Sequence, residues 1–234
     1  MSQFIPTYNG NLRNHMVCVP ECIGACGGIR IFGRLLKSVI FSTDVATIAN
    51  TNADAVIAVY PFTPQPRIVS AVMSVADMPV FFGVGGGFTS GVRSVNQAVA
   101  AENMGAFGVV LNAPVPPEVL RKIKEHVDIA VVATIVSDRQ DTEARIAAGV
   151  DILNVAASTE TPRVVSELRA RHPDIPILAT GGPTDETIRA TIAAGANAIS
   201  YTPPDNGTLL AEIMRSHRRR YRDGDLPSAP ADAQ

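Results

Sequence analysis

The chain predicts an α/β fold built as a single (β/α)8 TIM barrel, and three features of the sequence carry that expectation. Eight short apolar runs, rich in Val, Ile and Phe and continuous rather than alternating, read as parallel strands buried on both faces. Segments of helical period lie between them, closed by Asn52, Gly105, Gly149 and Gly195 and re-entering strands through Pro79 and Pro176. No linker separates these units, so eight strand–helix pairs occupy residues 38–222. An open, doubly wound sheet is the alternative, but its first strand lacks a dinucleotide fingerprint.

Residues 1–37 form a preamble, expected to pack on the barrel, and hold all three cysteines, Cys18, Cys22 and Cys26, in CVPECIGAC. The C-x3-C-x3-C spacing invites a metal–sulfur reading but lacks a fourth ligand, His15 being the only histidine near in sequence. Buried, reduced thiols are the plainer expectation. Strands are expected at 38–42, 55–60, 80–84, 107–111, 129–135, 152–156, 177–179 and 198–201. Helices are expected at 44–52, 66–76, 91–104, 116–126, 139–148, 160–171, 184–194 and 207–221. The clearest unit runs from Ile175 to Pro204. There an apolar run ends in Thr180-Gly181-Gly182, a helix puts Ile188, Ile192 and Ala193 on one face, Gly195 stops it, and a second run begins at Ala198. The tail from about Asp223 is small, polar and proline-bearing, and is expected to be disordered.

Composition excludes more than it selects. The hydrophobic fraction is 46%, yet no apolar run approaches the roughly 20 residues that cross a bilayer, so no membrane span is expected. The first residues carry no apolar stretch like that of a secretory leader, which makes the cytoplasm the expected compartment. A net charge of -2 gives no case for nucleic acid. Arg218-Arg219-Arg220 ends the last helix, where cations complement the dipole. A homo-oligomer is expected, as for most barrels with apolar outer helices.

In such a barrel, function sits at the carboxyl ends of the strands. The polar groups there are Asp44, Tyr60, Gly85, Gly86, Gly87, Asn112, Thr134, Asp138, Asn154, Thr180, Gly181, Gly182, Tyr201 and Thr202. His126, His172 and His217 fall near helix ends away from the mouth, and the three lysines, Lys37, Lys122 and Lys124, precede the first strand or ride a helix. Histidine catalysis, a histidine metal centre and a Schiff base therefore lack their groups, and no G-x-S-x-G turn offers an acyl-transfer nucleophile. Carboxylate and hydroxyl chemistry remain. Asp44 and Asp138 are candidate general bases that could also hold Mg2+ against a phosphorylated or keto-acid ligand; in S-T-D and S-D contexts they serve equally as helix N-caps. No resident cofactor is required, and Mg2+ is allowed. Asn154 stands mid-strand among apolar neighbours, where an unpaired amide costs roughly 1–3 kcal/mol, so it should meet a partner or a ligand in the lumen. The glycine clusters at 84–91 and 181–182 open onto the same mouth and together indicate a small anionic metabolite.

The run TEARIAAGVDILNVAAS followed by PDIPILATGGPTDETIRATIAAGANAISYTPP resembles the second half of keto-deoxy-phosphogluconate aldolase, and with it the phosphate-binding, aldolase class I-like barrels, over residues 142–204. The resemblance implies that Gly181 and Gly182 supply backbone N–H groups to a phosphate or carboxylate and that Thr180 lines the pocket. Taken with the polar residues at the mouth, the expectation is a lyase or isomerase acting on a sugar phosphate or keto acid, with Asp44 or Asp138 as acid–base group and Asn154 and Tyr60 orienting substrate. The family's Schiff-base lysine falls on Asn154, which removes imine chemistry and leaves room for a non-catalytic sensor or scaffold. Thr202-Pro203-Pro204 replaces the family's glycine–serine, so two N–H donors are missing and Asn206, Gly207 and Thr208 are the alternative anion seat. S-T-D, Y-P-F-T-P and T-G-G-P-T are also similar to a set of bacterial barrels of unassigned function, some labelled hydrolase; no residue set here supports that label. A flavin-binding barrel is the remaining rival.

Overall fold

A computed structural model describes Phe4, Pro6, Tyr8 and residues 16–223; His15 and the tail beyond residue 223 lie outside the described residues. Each apolar run becomes a strand: β3 (Ser38–Phe41), β4 (Ala55–Ala58), β5 (Val80–Gly85), β6 (Gly108–Leu111), β7 (Ala130–Ile135), β8 (Ile152–Val155), β9 (Ile177–Thr180) and β10 (Ala198–Tyr201). They pair in parallel and close, β10 joining β3, into a (β/α)8 barrel. Helices α1 (Val45–Ala49), α2 (Pro66–Val75), α3 (Val92–Asn103), α4 (Pro117–Lys124), α5 (Thr142–Ala147), α6 (Thr161–Arg171) and α7 (Asp185–Ala193) connect the strands in turn. Helix α5 starts three residues later than its pattern suggests. Asp141 caps it by accepting from Ala144 N (2.9 Å), and Gln140 folds back to accept from Val136 N.

Alternation along each strand divides the core in two. Val39, Ala55, Ile57, Phe81, Val110, Val132, Ile152, Leu178 and Ala198 form an inner apolar cluster, while Ile40, Val56, Phe82, Val109, Val131 and Leu153 join the cluster beneath the helices. The preamble contains a hairpin that the sequence pattern did not reveal. Strands β1 (Ile29–Ile31) and β2 (Arg34–Leu36) pair antiparallel across a Phe32–Gly33 turn with φ of 46° and 81°. Ile29 and Leu36 join the inner cluster, so the hairpin stoppers the lumen at the amino ends of the strands. Phe32 meets Phe107 edge-on at 5.4 Å, and the Arg34 guanidinium lies 5.6 Å from the same ring. Upstream, Val17 N donates to Asn50 O at 2.7 Å and Val19 N to Asn52 Oδ1 at 2.8 Å, and the 3-10 turn Glu21–Ala25 packs on α7.

The same clamp recurs where strands begin. A polar residue just before one strand accepts a backbone N–H at the start of its neighbour: Asp54 from Ser38 N (2.9 Å), Asp151 from Val131 N (2.8 Å) and Asn197 from Ile177 N (2.9 Å). Asn197 Oδ1 also accepts from Arg169 Nη2 at 2.6 Å. The Arg169 fork donates further to the carbonyls of Gly195, Pro173 and Ile175, tying the end of α6 to the entries of β9 and β10.

One compact unit ends at Thr202 and a second begins at Pro203. The second contains α8 (Asn206–Asp223), whose start is capped by Asp205 accepting from Thr208 N at 2.9 Å. Among the described residues no helix is long and apolar enough to cross a membrane.

Replacing Arg169 by Ala strands several carbonyls and the Asn197 oxygen at once. We expect a loss of about 2–4 kcal/mol in urea unfolding, with Arg169→Lys recovering only part because it lacks the planar fork. An unchanged midpoint for Arg169→Ala would show that the clamp is not a stabilising element.

Candidate functional site

The inner face of the barrel changes character along its axis. Below, it is the apolar cluster; above, toward the carboxyl ends, the inward positions become Thr134, Asn154, Thr180 and Ser200. These are register partners in twos, Thr134 opposite Asn154 and Thr180 opposite Ser200. They open into a cavity of about 500 Å3 whose remaining walls are Phe41, Ile57, Val59, Tyr60, Pro61, Val110, Asn112, Ala156 and Thr202. None of these side chains carries a charge at neutral pH.

Asn154 is the focus of the cavity. Its Nδ2 donates to Thr134 Oγ1 at 3.2 Å, while its Oδ1 is buried and has no hydrogen-bond partner. Tyr60 divides the cavity from a neighbouring recess of about 270 Å3 under the loops after β4 and β5, and its hydroxyl accepts from Gln65 N at 2.9 Å. Gly85, Gly86 and Gly87 line that recess with Asn112. Gly86 has φ of +120°, and a Cβ there would lie 2.3 Å from Asn112 Cβ, so only glycine lets the two loops meet. The loop carrying Asn112 is held from behind by Arg145 on α5, a buried guanidinium that donates to Ala113 O. Burial pushes the pKa of that guanidinium down.

The other expected residues are placed differently. Gly181 donates its N–H to Ser200 O at 3.3 Å, so that donor is used within the barrel. A Cβ on Gly181 would come within 2.8 Å of both Ile188 and Ile199, and the glycine therefore serves close packing of α7 on the sheet. Gly181 and Gly182 line a separate recess of about 310 Å3 beside Ser158, Thr161 and Thr187, sharing only Thr180 with the lumen cavity. Tyr201 points outward and packs on the cluster beneath the helices. The inward neighbour is Ser200, which strand parity alone could have identified from Thr180. Asp44 accepts from Thr47 N at 2.7 Å as the N-cap of α1. Asp138 pairs with Arg163 Nη1 at 3.0 Å, and that guanidinium holds its carboxyl below the usual carboxylate range. Neither aspartate lines the lumen.

The donor set does not fit a resident Mg2+. Such an ion is bound through one or two carboxylates; the cavity offers none, and among the described residues no three His, Cys, Asp or Glu side chains stand together as a metal site. The cysteines fit a metal no better. Cys22 and Cys26 are buried, and burial raises both thiol pKa values, that of Cys26 to about 11; Asp185 adds to the effect at Cys22.

No protein-family model and no curated protein sequence matches the chain. Solved structures do. The phosphoenolpyruvate phosphomutase of Streptomyces platensis subsp. rosaceus superposes with a TM-score of 0.61 at 17% identity, over 87% of this chain and 86% of that one. Phosphonopyruvate hydrolase, complexed with oxalate and Mg2+, gives 0.59 at 15% identity over 82% and 87%. The 2,3-dimethylmalate lyase, a member of the PEP mutase/isocitrate lyase superfamily, gives 0.58 at 13% over 84% and 86%. These likenesses show the barrel fold. They are to barrels of a different kind from keto-deoxy-phosphogluconate aldolase, and what stands of that resemblance is the aldolase-like barrel. The reason is physical: its T-G-G and A-G-A signatures mark the tight strand–helix packing at Gly181 and the helix stop at Gly195, φ +109°, which building a barrel demands.

Two outcomes follow for the native protein. Exposed Cys18 should react with Ellman's reagent at once, and Cys22 and Cys26 only on unfolding; three fast thiols would contradict their burial. Gly86→Ala should cost about 2–4 kcal/mol in thermal or urea unfolding, since it combines positive φ with a backbone clash.

Proposed function

We propose that this chain is an enzyme of the lyase or isomerase type that takes a small carboxylate-bearing metabolite, a keto acid or sugar acid, into the upper lumen of its barrel. The observation that carries the reading is the cavity of about 500 Å3 at the carboxyl ends of the strands, into which Thr134, Asn154, Thr180 and Ser200 turn from an otherwise apolar barrel interior. Polar side chains gathered at the mouth of an apolar lumen mark a site built to be filled. The enzymes named for the structurally similar barrels support the chemical class, since phosphonopyruvate hydrolase was captured with oxalate and 2,3-dimethylmalate lyase acts on a dicarboxylate. That support is by analogy of fold.

Within this reading the lumen groups bind and orient. Thr180, Ser200 and Asn112 present hydroxyl and amide donors to a carboxylate, and Tyr60, whose oxygen already accepts from Gln65 N, has its proton to give. The rim aspartates, Asp44 after β3 and Asp138 after β7, are the proton-transfer candidates. Each already has a structural partner, so acid–base work at either requires that contact to exchange. One observation favours a second reading, a metabolite sensor without turnover: no Asp, Glu, His, Cys, Lys or Arg lines the lumen.

A panel of pyruvate, oxaloacetate, malate and oxalate added to the 15N-labelled chain separates these readings. We expect shifts at the amides of Thr134, Asn154, Thr180 and Ser200, and consumption of at least one acid over time. Shifts without consumption select the sensor. Shifts confined to Gly181–Thr187, or none, would overturn the lumen site.

A further inference from the structure

The lumen cavity has a neighbour. Val59, Tyr60, Pro61 and Asn112 line both it and the recess of about 270 Å3 under the loops after β4 and β5, so the two spaces meet across a shared wall. The recess differs in character. Its walls are apolar side chains, Val59, Pro61, Phe62, Pro64 and Phe88, with the backbone of four glycines, and no Asp, Glu, Lys, Arg or His lines it. Phe62 is 72% exposed and Phe88 is fully exposed. A single phenylalanine in water calls for no explanation, but two on one apolar recess do. Their backbones are constrained. Phe62 stands between Pro61 and Pro64, whose rings fix the chain on either side. Phe88 stands at the tip of the turn Gly86–Thr89, which Gly86 N closes by donating to Thr89 O at 2.9 Å and Gly87 bends with φ of +74°.

Size and charge say what such a recess would take. A dry cavity of about 150 Å3 accepts a benzene ring, so there is room here for one. A second carboxylate or a phosphate on the ligand would give up water and meet no cation. A hydrocarbon group gives up nothing and covers Phe62 and Phe88.

We propose that the recess binds an aromatic or branched apolar substituent of the same acid whose carboxylate lies in the lumen, which makes the ligand a hydrophobic keto acid rather than a short polar one or a sugar acid. This rests on the lumen being the ligand site. Tyr60 then stands at the junction of the two parts, its ring held by the hydroxyl that accepts from Gln65 N at 2.9 Å.

The test compares pyruvate, 2-oxoglutarate and 2-oxo-4-phenylbutanoate by NMR titration of the full 15N-labelled chain. The last two share a pair of methylenes and end in a carboxylate or a phenyl ring. The phenyl acid should bind about tenfold to a hundredfold tighter than either of the others, the range expected for burying an apolar group of that size. It should shift the amides of Phe62 and Gly86–Thr89 together with those of Thr180 and Ser200. In the double variant Phe62→Ser, Phe88→Ser, which alters two exposed side chains, its advantage should shrink at least threefold. If that variant fails to fold, the ranking and the shifts on the unaltered chain decide. A phenyl acid that binds no tighter than 2-oxoglutarate, or that moves the lumen amides and leaves those of the recess still, overturns the proposal while the lumen reading survives. Shifts at Phe62 and Phe88 that grow with protein concentration in the absence of any acid would make the recess a contact between copies and overturn it too. If no acid moves a lumen amide, the lumen reading itself fails.

Discussion

Closure of eight parallel strands is the constraint from which the other features of this protein follow. A closed sheet has no edge to protect, but it commits every second residue of each strand to a narrow interior that must be filled or used. Here the lower part is filled, by Val, Ile, Leu, Ala and Phe81 and by the hairpin that brings Ile29 and Leu36 in from below. The upper part is left to Thr134, Asn154, Thr180 and Ser200. The clamps formed by Asp54, Asp151 and Asn197 fix neighbouring strands in register, and register decides which of two adjacent residues faces inward. A slip of one residue would exchange Ser200 for Tyr201 and close the cavity with a ring.

How much of this was legible depends on whether the physics is local. The eight strands, the connecting helices and their stops follow from hydrophobic period and from glycine and proline, all of which act over a few residues. Asn154 was legible too, because a polar amide within ILNV has no local partner. The hairpin was not, since Phe-Gly is an unusual pair for a two-residue turn and its justification, filling the bottom of the lumen, is long-range. Gly181 and Gly182 suggested an anion cradle from their place before a helix. Only the packed structure shows the Gly181 N–H spent on Ser200 and the missing side chain making room for Ile188 and Ile199. Asp44 and Asp138 look alike in sequence as acid–base groups and as caps, and tertiary contacts assign them Thr47 and Arg163 as partners.

Charge is distributed unevenly in this barrel. Its ionised groups serve the scaffold: Arg169 binds carbonyls at the strand entries, Arg163 gathers Asp138, Glu160 and Glu167, and Arg145 braces the loop of Asn112. The lumen cavity is lined by no Asp, Glu, Lys, Arg or His, so in the proposed reading hydrogen bonding rather than ion pairing carries recognition there. The likeness in backbone to phosphoenolpyruvate phosphomutase, with a TM-score of 0.61, shows the fold; a fold fixes where a site lies and its side chains fix what the site does.

The most direct measurement is a crystal structure of the full chain with malate at saturating concentration. The account predicts the acid in the lumen between β7, β8, β9 and β10, its carboxylates about 2.6–3.2 Å from hydroxyl and amide donors among Asn112, Thr180 and Ser200. Malate seated in the recess beside Gly181 and Gly182, or a lumen that stays empty of ligand, would contradict it.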